Sequence, residues 1–574
     1  MHFLRCVISC LAIVGVVVPP AFALDAEKEN PAWVGGLSPV EDSGVTSVNI
    51  DVFVRRKDDS PVVGLTRDQF RVFQDNVEIP ITSFSAFTQE SLVRKRPHPE
   101  LDETTINTAE ETATHAEEAN PIYIVLYIDN ANLRRMDRNR VLRPMERFSE
   151  SVLAGPVHIM VVSHDQSVNI VQPFTDVPRE VVHALRYLRT TETLLEDYER
   201  EHSDIQRAIR RSIKNRNKTS GARNQVVSEL FDKIRLFADQ EEARLAQNLQ
   251  AIHEIGTTLT GINGRKYLVY VSNGLPLVVS KDLLHEFSGL DARMSSVSLS
   301  IPFNKRRYYD SLAATANAQE ITIHAIDATG PFSISASIGD SESPKSTQAA
   351  TVAHENHLVP LRGLTKKTGG LAVINEDDFD AGFNRIKADL MTYYSIGYDI
   401  ETSGKDKVHS IDVTLDDDAG HELRFRRAFI EKSLKSKIQE RVNASLFFAI
   451  DDNPMGLVVT PGAQKPATTD RWMKPFTISI PIHSLALVAD GDDYVGKAIV
   501  FVATRDFEGR STDIQRRNHE FTVPVSDYEK RRDEHFFVDL NLLLKKGRHQ
   551  MVVGVFDETT RRASYQKMEA TIYD

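Results

Sequence analysis

Cysteine is nearly absent from this sequence of 574 residues. The two cysteines, Cys6 and Cys10, both lie close to the start of the chain. The rest of the chain therefore has no thiolate for a metal site, no cysteine nucleophile and no means of forming a disulfide bond.

Long apolar runs are also scarce. The run at residues 7–18 is followed by Pro19 and Pro20 and then by Ala21-Phe22-Ala23. It is short for a membrane span and its flank fits a small-x-small cleavage pattern, so we predict a signal peptide over residues 1–23. The alternative is an uncleaved anchor. We expect an exported protein with no transmembrane segment after cleavage, and the lack of cysteine favours a bacterial periplasm or exterior.

Common catalytic motifs are missing too. The sequence contains no H-E-x-x-H, no G-x-S-x-G and no G-x-x-x-x-G-K-S/T. The formal net charge of −12 argues against general nucleic-acid binding. A basic run over residues 207–223 could form a nucleic-acid or lipid patch, but a solvated turn between helices is the simpler interpretation. We therefore predict a protein that is not an enzyme and binds no nucleic acid.

The segments near the N-terminus differ in character. Residues 24–44 and the acidic residues 91–120 are predicted to be linkers, the second one disordered. Between them, residues 45–90 form a predicted β module, in which Val48, Ile50, Val52 and Val54 alternate with polar residues. We expect this module to pair with strands in residues 392–430, because neither piece makes a self-sufficient sheet.

Residues 121–391 alternate predicted strands and helices. This order predicts an α/β domain with a doubly wound, mostly parallel sheet. A helical insertion is predicted at residues 191–260. Its apolar stripe could pack on the parent domain, pair internally or mediate an oligomer, and it comprises Leu230, Ile234, Leu245, Leu249, Ile252 and Ile255. The Ser/Ala-rich residues 329–356 are predicted to be a flexible loop.

The C-terminal part is predicted to be all β. Residues 431–443 are a predicted linker with a short basic helix, and residues 444–574 a predicted β-sandwich. Ala444–Ile450 is taken as the first strand of that sandwich.

One strand organises the candidate site. The apolar run Tyr123–Ile128 ends abruptly at Asp129, followed by Asn130 and Asn132. Ligands of parallel sheets bind just beyond the carboxyl ends of the strands, so Asp129 is a candidate cation ligand. The alternative is an aspartate that caps the next helix.

Five segments carry a resemblance to a known family. They are V-x-G-L-T-x-x-x-F-x-V-F-x-D at residues 62–75, the strand ending at Asp129, V-S-N-G at 271–274, L-T-K-K-T-G-G-L at 364–371 and Y-Y-S-I-G-Y at 393–398. On these segments residues 45–430 resemble the VWFA-related proteins of the Acidobacteria type, which carry a von Willebrand factor type A (VWA) domain. The resemblance implies a VWA-like fold for residues 121–391.

The resemblance also implies a site for Mg²⁺ or another divalent cation. In the family, D-x-S-x-S follows the first strand, a Thr comes from a later loop and an Asp follows the fourth strand. Here Asp129 matches, but Ala131 and Leu133 replace the serines and Asn273 replaces the later Asp. The implied site of Asp129 and Asn273 is therefore degenerate, with Mg²⁺ bound weakly or not at all.

The remaining site assignments stay open. The Thr is not assignable, and its candidates are Thr190, Thr191, Thr193, Thr257 and Thr258. Asn130, Asn132 and Ser272 are predicted to form the binding edge around Asp129. The predicted function is a secreted or periplasmic protein-binding or adhesion module. The alternative is a cell-envelope scaffold that assembles through the helical insertion or the β-sandwich.

Overall fold

The structure is a computed structural model. It describes residues 45–88 and 121–573, apart from 166, 194, 215–219, 291–294, 332–343, 402, 404, 417–419, 449–452, 507–510 and 513. The predicted signal peptide and both predicted linkers before residue 121 therefore lie outside the described residues. No helix in the described part of the chain is long and apolar enough to cross a membrane.

The strands and helices are numbered in chain order. The strands are β1 (Val45–Arg55), β2 (Phe70–Gln74), β3 (Val77–Ile79), β4 (Ser83–Phe87), β5 (Ile122–Ile128), β6 (Val157–His164), β7 (Val168–Thr175), β8 (Arg265–Ser272), β9 (Ile321–Asp327), β10 (Ala372–Val373), β11 (Tyr393–Glu401), β12 (Lys407–Leu415), β13 (Glu422–Arg424), β14 (Ala428–Glu431), β15 (Val458–Pro461), β16 (Lys465–Pro466), β17 (Arg471–Pro481), β18 (Val488–Asp490), β19 (Asp493–Asp506), β20 (Gln515–Pro524), β21 (His535–Lys545), β22 (Gly547–Asp557) and β23 (Ala563–Ile572). The helices are α1 (Arg135–Val152), α2 (Pro178–Leu188), α3 (Leu195–Lys214), α4 (Ser220–Leu259), α5 (Lys281–Phe287), α6 (Ser296–Ser300), α7 (Arg306–Ala318), α8 (Pro344–Thr368), α9 (Phe379–Met391), α10 (Leu434–Phe447) and α11 (Tyr528–Arg531).

A six-stranded sheet forms the centre of the α/β domain, in the order β10-β9-β8-β5-β6-β7. Its strands are parallel except for β7, which pairs with β6 in the antiparallel direction. Helices α1, α2 and α9 bury one face, and α4, α7 and α8 bury the other. The apolar run of β5 is explained by this burial on both faces. The prediction of a mixed α/β fold is confirmed.

The insertion packs on its own domain. Ile234 of α4 is buried together with Ile209 of α3 and with Leu283 and Phe287 of α5. Farther along α4, Leu245, Leu249, Ile252 and Ile255 join the core beneath the sheet. The apolar stripe of the insertion is thus covered within the chain.

The β module is assembled from both ends of the α/β domain. One four-stranded sheet has the order β13-β1-β11-β4, and the other has the order β14-β12-β2-β3. Alternating side chains of both sheets, such as Ile50, Val72, Ile396 and Val413, share one core. The strands before and after the α/β domain therefore complete each other.

Two segments differ from the sequence prediction. Residues 344–356, predicted to be part of a flexible loop, begin helix α8, whose first residue is Pro344. Proline is favoured at the first helical position because its missing N–H is unpaired there anyway.

The short basic helix predicted within residues 431–443 is present and extends farther, because helix α10 occupies Leu434–Phe447. The strand predicted at Ala444–Ile450 is therefore wrong for residues 444–447. Ile438, Val442 and Leu446 lie on one face of this helix and pack against the C-terminal domain at Ile499 and Phe556. An apolar run as short as Ala444–Ile450 does not distinguish a strand from the end of a helix.

The C-terminal domain consists of two β-sheets with one shared core. Strands β15, β16, β17 and β21 form one sheet, and β18, β19, β20, β22 and β23 form the other. Phe476, Ile478, Val500 and Val553 are among the buried residues between them.

Candidate functional site

Asp129 lies at the carboxyl end of β5 and is fully buried. Its Oδ2 accepts hydrogen bonds from Asn132 Nδ2 at 2.9 Å, Asn248 Nδ2 at 2.7 Å and Ser272 Oγ at 2.9 Å. The hydroxyl of Tyr270 donates a further bond to the same oxygen. We call these residues, Asp129, Asn132, Asn248, Tyr270 and Ser272, the Asp129 cluster. The Asp129 side chain accepts no hydrogen bond from a backbone N–H of the following turn, so the capping alternative does not apply.

Helix α4 of the insertion closes the Asp129 cluster from outside. Asn248 is fully buried and accepts a hydrogen bond from Tyr127 OH at 3.3 Å. One turn earlier, Arg244 Nη2 donates to the carbonyl oxygen of Ala131 at 2.7 Å. Helix α4 therefore binds both the backbone of the loop after β5, through Arg244, and the carboxylate of Asp129, through Asn248.

Both tyrosines of this region act as protonated donors. Burial and then the nearby Asp129 carboxylate raise the pKa of Tyr270 and of Tyr127 well above the ordinary value of 10.0. Their hydroxyl groups keep their protons at neutral pH and can satisfy oxygen acceptors in the buried site.

The second carboxylate oxygen of Asp129 has a different environment. Oδ1 is buried, and His164 Nδ1 at the end of β6 lies 3.8 Å away, beyond hydrogen-bond distance. Neither atom has a hydrogen-bond partner within the described residues.

Asn273 lies beside the Asp129 cluster but points to another group. Its backbone N–H donates to Asn132 O at 3.2 Å, and its Nδ2 donates to Asp137 Oδ2 at 3.0 Å. Ser272 is fully buried, so it supports Asp129 from the interior and does not present a surface to a partner, contrary to its predicted place in the binding edge. Asn132 is partly buried within the same cluster.

Asn130 faces away from Asp129, toward the buried Arg138. Arg138 Nη1 donates to Asn130 Oδ1 at 3.0 Å and to Thr191 Oγ1 at 3.0 Å. Burial lowers the pKa of Arg138 to about 10, so its guanidinium stays charged at neutral pH. Among the candidate threonines, Thr191 is thus placed at this edge, and its Oγ1 also donates to Leu188 O. The hydroxyls of Thr190, Thr257 and Thr258 donate to the backbone carbonyls of Tyr187, His253 and Ile255.

The residues around Asp129 do not fit a magnesium ion. Mg²⁺ needs oxygen lone pairs in an octahedral arrangement. Oδ2 of Asp129 is instead surrounded by N–H and O–H donors, and Ala131 and Leu133 offer no side-chain oxygen. In the described part of the chain, no three His, Cys, Asp or Glu side chains are grouped so that they could hold a metal ion.

Several residues of this edge were not found from the sequence. Asn248 is the polar member of an apolar helical stripe, between Leu245 and Ile252, which is the signal that could have identified it. Ser163 and Asp165 stand at the end of β6, where the strand-end rule that identified Asp129 would also have found them. Arg138 carries no such signal, because surface arginines are common in the first turns of helices.

Comparisons with known proteins give distant similarities. No family model matches the chain, and no curated protein matches it. The conserved hypothetical protein BatB from Bacteroides thetaiotaomicron is 10% identical, with a TM-score of 0.22, over 47% of this chain and 99% of that chain. The vWF domain of the type V pili tip protein Mfa5 from Porphyromonas gingivalis is 13% identical, with a TM-score of 0.22, over 47% of this chain and 94% of that chain.

A longer Mfa5 structure, with three N-terminal domains, is 9% identical at a TM-score of 0.23, over 94% of this chain and 79% of that chain. Scores of this size assign neither a fold nor a function to this chain. The VWA resemblance and its Acidobacteria type therefore stay predictions from the sequence.

Proposed function

We propose that this chain is an exported, non-catalytic protein-binding module of the adhesion type, located in the periplasm or outside the cell. Its VWA-like α/β domain binds the partner at the carboxyl edge of the six-stranded sheet. The Asp129 and Asn273 positions are a degenerate metal site that now serves as a hydrogen-bonded support. The proposal rests on the signal-like start, the missing catalytic motifs and the character of this edge.

The observation that carries the proposal is a group of exposed apolar side chains at this edge. Met136 at the start of α1 is 85% exposed, Tyr187 near the end of α2 is 56% exposed and Ile170 in β7 is 47% exposed. Asn139 Nδ2 donates to Arg189 O at 3.3 Å, which brings the start of α1 beside the end of α2. Exposed apolar and aromatic side chains around a polar recess are typical of protein-binding surfaces.

The test is affinity capture from an envelope fraction with wild type and Met136→Glu. Met136 has little buried surface to lose, so the variant is expected to fold and to place a charge in the centre of the contact. We expect capture of the same partner to fall at least about tenfold, the usual effect of disrupting a central contact residue.

Val297→Glu is the matched control. Val297 lies in α6, is 73% exposed and is remote in sequence from the proposed surface. An equal loss of partner capture for both variants, or no loss for Met136→Glu, would show that this edge does not bind the partner.

A further inference from the structure

A second polar recess opens beside the Asp129 cluster. It is a cavity of about 380 Å³ between the end of β6, the start of β7 and the end of α2. This volume lies in the range of small-molecule sites in proteins. The lining residues are Asn130, Ser163, Asp165, Asn169, Val171, Gln172, His183, Ala184, Tyr187, Leu188 and Thr191.

One carboxylate oxygen in this cavity is left without a protein partner, beside a buried hydroxyl group. Ser163 lines the cavity and is only 3% exposed. Oδ1 of Asp165 is buried and unpaired among the described residues. Buried polar groups are nearly always paired, so unpaired ones that line a cavity indicate a place for a ligand with hydrogen-bonding groups.

The one carboxylate in the cavity lining has a buried cation close by. Asp165 supplies one carboxylate, and its field opposes the effect of burial on the pKa of Arg138, which lies behind Asn130 and Thr191. Because the carboxylate already has a cation nearby, a charged ligand would leave one charge uncompensated in a recessed site, which is costly. The other polar lining groups are amides, hydroxyls and an imidazole.

The walls combine polar and apolar surfaces. Val171, Ala184 and Leu188 are apolar lining residues, and the half-exposed ring of Tyr187 stands at the rim. A ligand that suits this cavity must donate and accept hydrogen bonds, carry no charge and offer an apolar face to an aromatic ring. A sugar ring has these properties, because its hydroxyls lie around the edge and its C–H groups form the faces.

We propose that this cavity binds an uncharged saccharide unit carried by the partner. In this arrangement sugar hydroxyls pair with Ser163 and Asp165, and one sugar face stacks on Tyr187. The inference rests on the proposed function only in placing the binding surface at this edge.

The experiment uses the purified chain and a panel of methyl glycosides of glucose, galactose, mannose and N-acetylglucosamine. Glucuronic acid and glucosamine serve as charged comparisons. Saturation-transfer NMR and calorimetry should detect at least one neutral glycoside with a Kd on the order of 1 mM, as expected for a ligand of this size. Tyr187→Ser and Asp165→Asn should each weaken binding at least about tenfold.

Tyr573→Ser is the matched control, because this tyrosine is 68% exposed and follows the last strand of the C-terminal domain. Tyr187 is 56% exposed and Oδ1 of Asp165 has no partner among the described residues, so both variants are expected to fold, and an unchanged Tm checks this. Ser163→Ala is a further variant that removes a single hydroxyl.

Three results would overturn the saccharide site: no glycoside responds, a charged derivative binds at least tenfold more tightly than its neutral parent, or the cavity variants bind like wild type. These results are separate from the capture experiment. A partner lost on Met136→Glu, with no glycoside response, would keep the protein-binding function and reject the saccharide.

Discussion

At the scale of single residues, Asp129 links neighbouring elements as a buried hydrogen-bond acceptor. Its Oδ2 is the common acceptor for four side chains, which come from α4, from β8 and from the loop after β5. Removing this acceptor leaves its donors unpaired in the interior. Each donor that finds no other partner lowers the free energy of unfolding by about 1–3 kcal/mol.

We therefore predict that Asp129→Ala lowers the free energy of unfolding by about 3 kcal/mol or more. The loss of stability measured by denaturant unfolding should be the same in about 10 mM Mg²⁺ as in EDTA. If the wild type bound the ion, mass action would stabilise it and the loss would be larger in Mg²⁺. Asp165→Ala is the control, with a loss below about 1 kcal/mol, since the buried oxygen of Asp165 has no protein donor. A wild-type stability that rises with Mg²⁺ would contradict the prediction.

His324 in β9 makes the stability of the fold depend on pH. Burial lowers its pKa from 6.5 to about 4, with Asp389 opposing this effect. Between these pH values the unfolded chain binds a proton that the folded chain does not, so stability falls as pH falls through this window.

The prediction is that His324→Asn flattens the pH dependence of unfolding between pH 6.5 and about 4. The change in slope should approach about 1.4 kcal/mol per pH unit, the value for one proton. In the wild type, Leu371 N donates to His324 Nδ1 at 3.0 Å, and the asparagine side chain keeps an acceptor for this N–H. Denaturant midpoints measured at pH 7 and pH 5 check this, and parallel profiles for both proteins would count against it.

At the scale of elements, a buried ion group fastens the β module to the α/β domain. Asp389 of α9 is fully buried and pairs with Arg55 of β1 and with Arg424 of β13, the latter at 2.8 Å. Burial would raise the pKa of this carboxyl, but Arg424 and Arg55 outweigh burial and hold the pKa below 3.8. The ion group of Asp389, Arg55 and Arg424 therefore stabilises the fold above about pH 4 and loses this effect at lower pH.

Asp389→Asn should cost about 3–5 kcal/mol near pH 7, because it leaves two buried guanidinium groups without their counter-charge. The difference from wild type should narrow as the pH falls below about 4. Asp380→Asn on the same helix is the control. Asp380 pairs with Arg147 at the surface, where such pairs contribute at most about 1 kcal/mol. Similar losses for both variants in denaturant unfolding would show that burial does not set the effect.

The elements differ in how well their sequence predicts them. The apolar run Ile122–Ile128 lies between Pro121 and Asp129 and consists mainly of β-branched and aromatic residues, which favour a strand. Ala444–Ile450 is equally apolar, but its residues 444–447 end a helix, and the i, i+4, i+8 spacing of Ile438, Val442 and Leu446 was the stronger signal. Asn132 and Ser272 were predicted to lie around Asp129, but the contact with Asn248 was not, because Asn248 approaches from 119 residues away along the chain.

At the scale of the whole molecule, helix α10 joins the α/β domain to the C-terminal domain. One face packs on Ile499 and Phe556, while its backbone touches Gly261 on the other side. A Cβ atom at Gly261 would lie 2.3 Å from Glu440 O and 2.6 Å from Arg441 Cα. A glycine is required here because two backbones meet directly.

Gly261→Ala should displace α10 and loosen the junction between the domains. We expect a lower Tm and faster protease cleavage after residue 431 than in wild type. Gly363→Ala is the matched control, since a Cβ there meets nothing within 4 Å and alanine favours the helix. Equal cleavage rates for the two variants would show that the close approach at Gly261 is not needed.

The split β module also sets an order of assembly during synthesis. Strand β1 pairs with β11 from Val45↔Glu401 to Val52↔Tyr394, so a ribosome makes β1 long before its main partner exists. Closing so long a loop in an unfolded chain is slow. Once residues 121–391 have folded, however, their two ends hold the partners near each other and shorten the search. The α/β domain would thus template the β module, and a variant that delays its folding should leave β1 exposed as an unpaired, aggregation-prone edge.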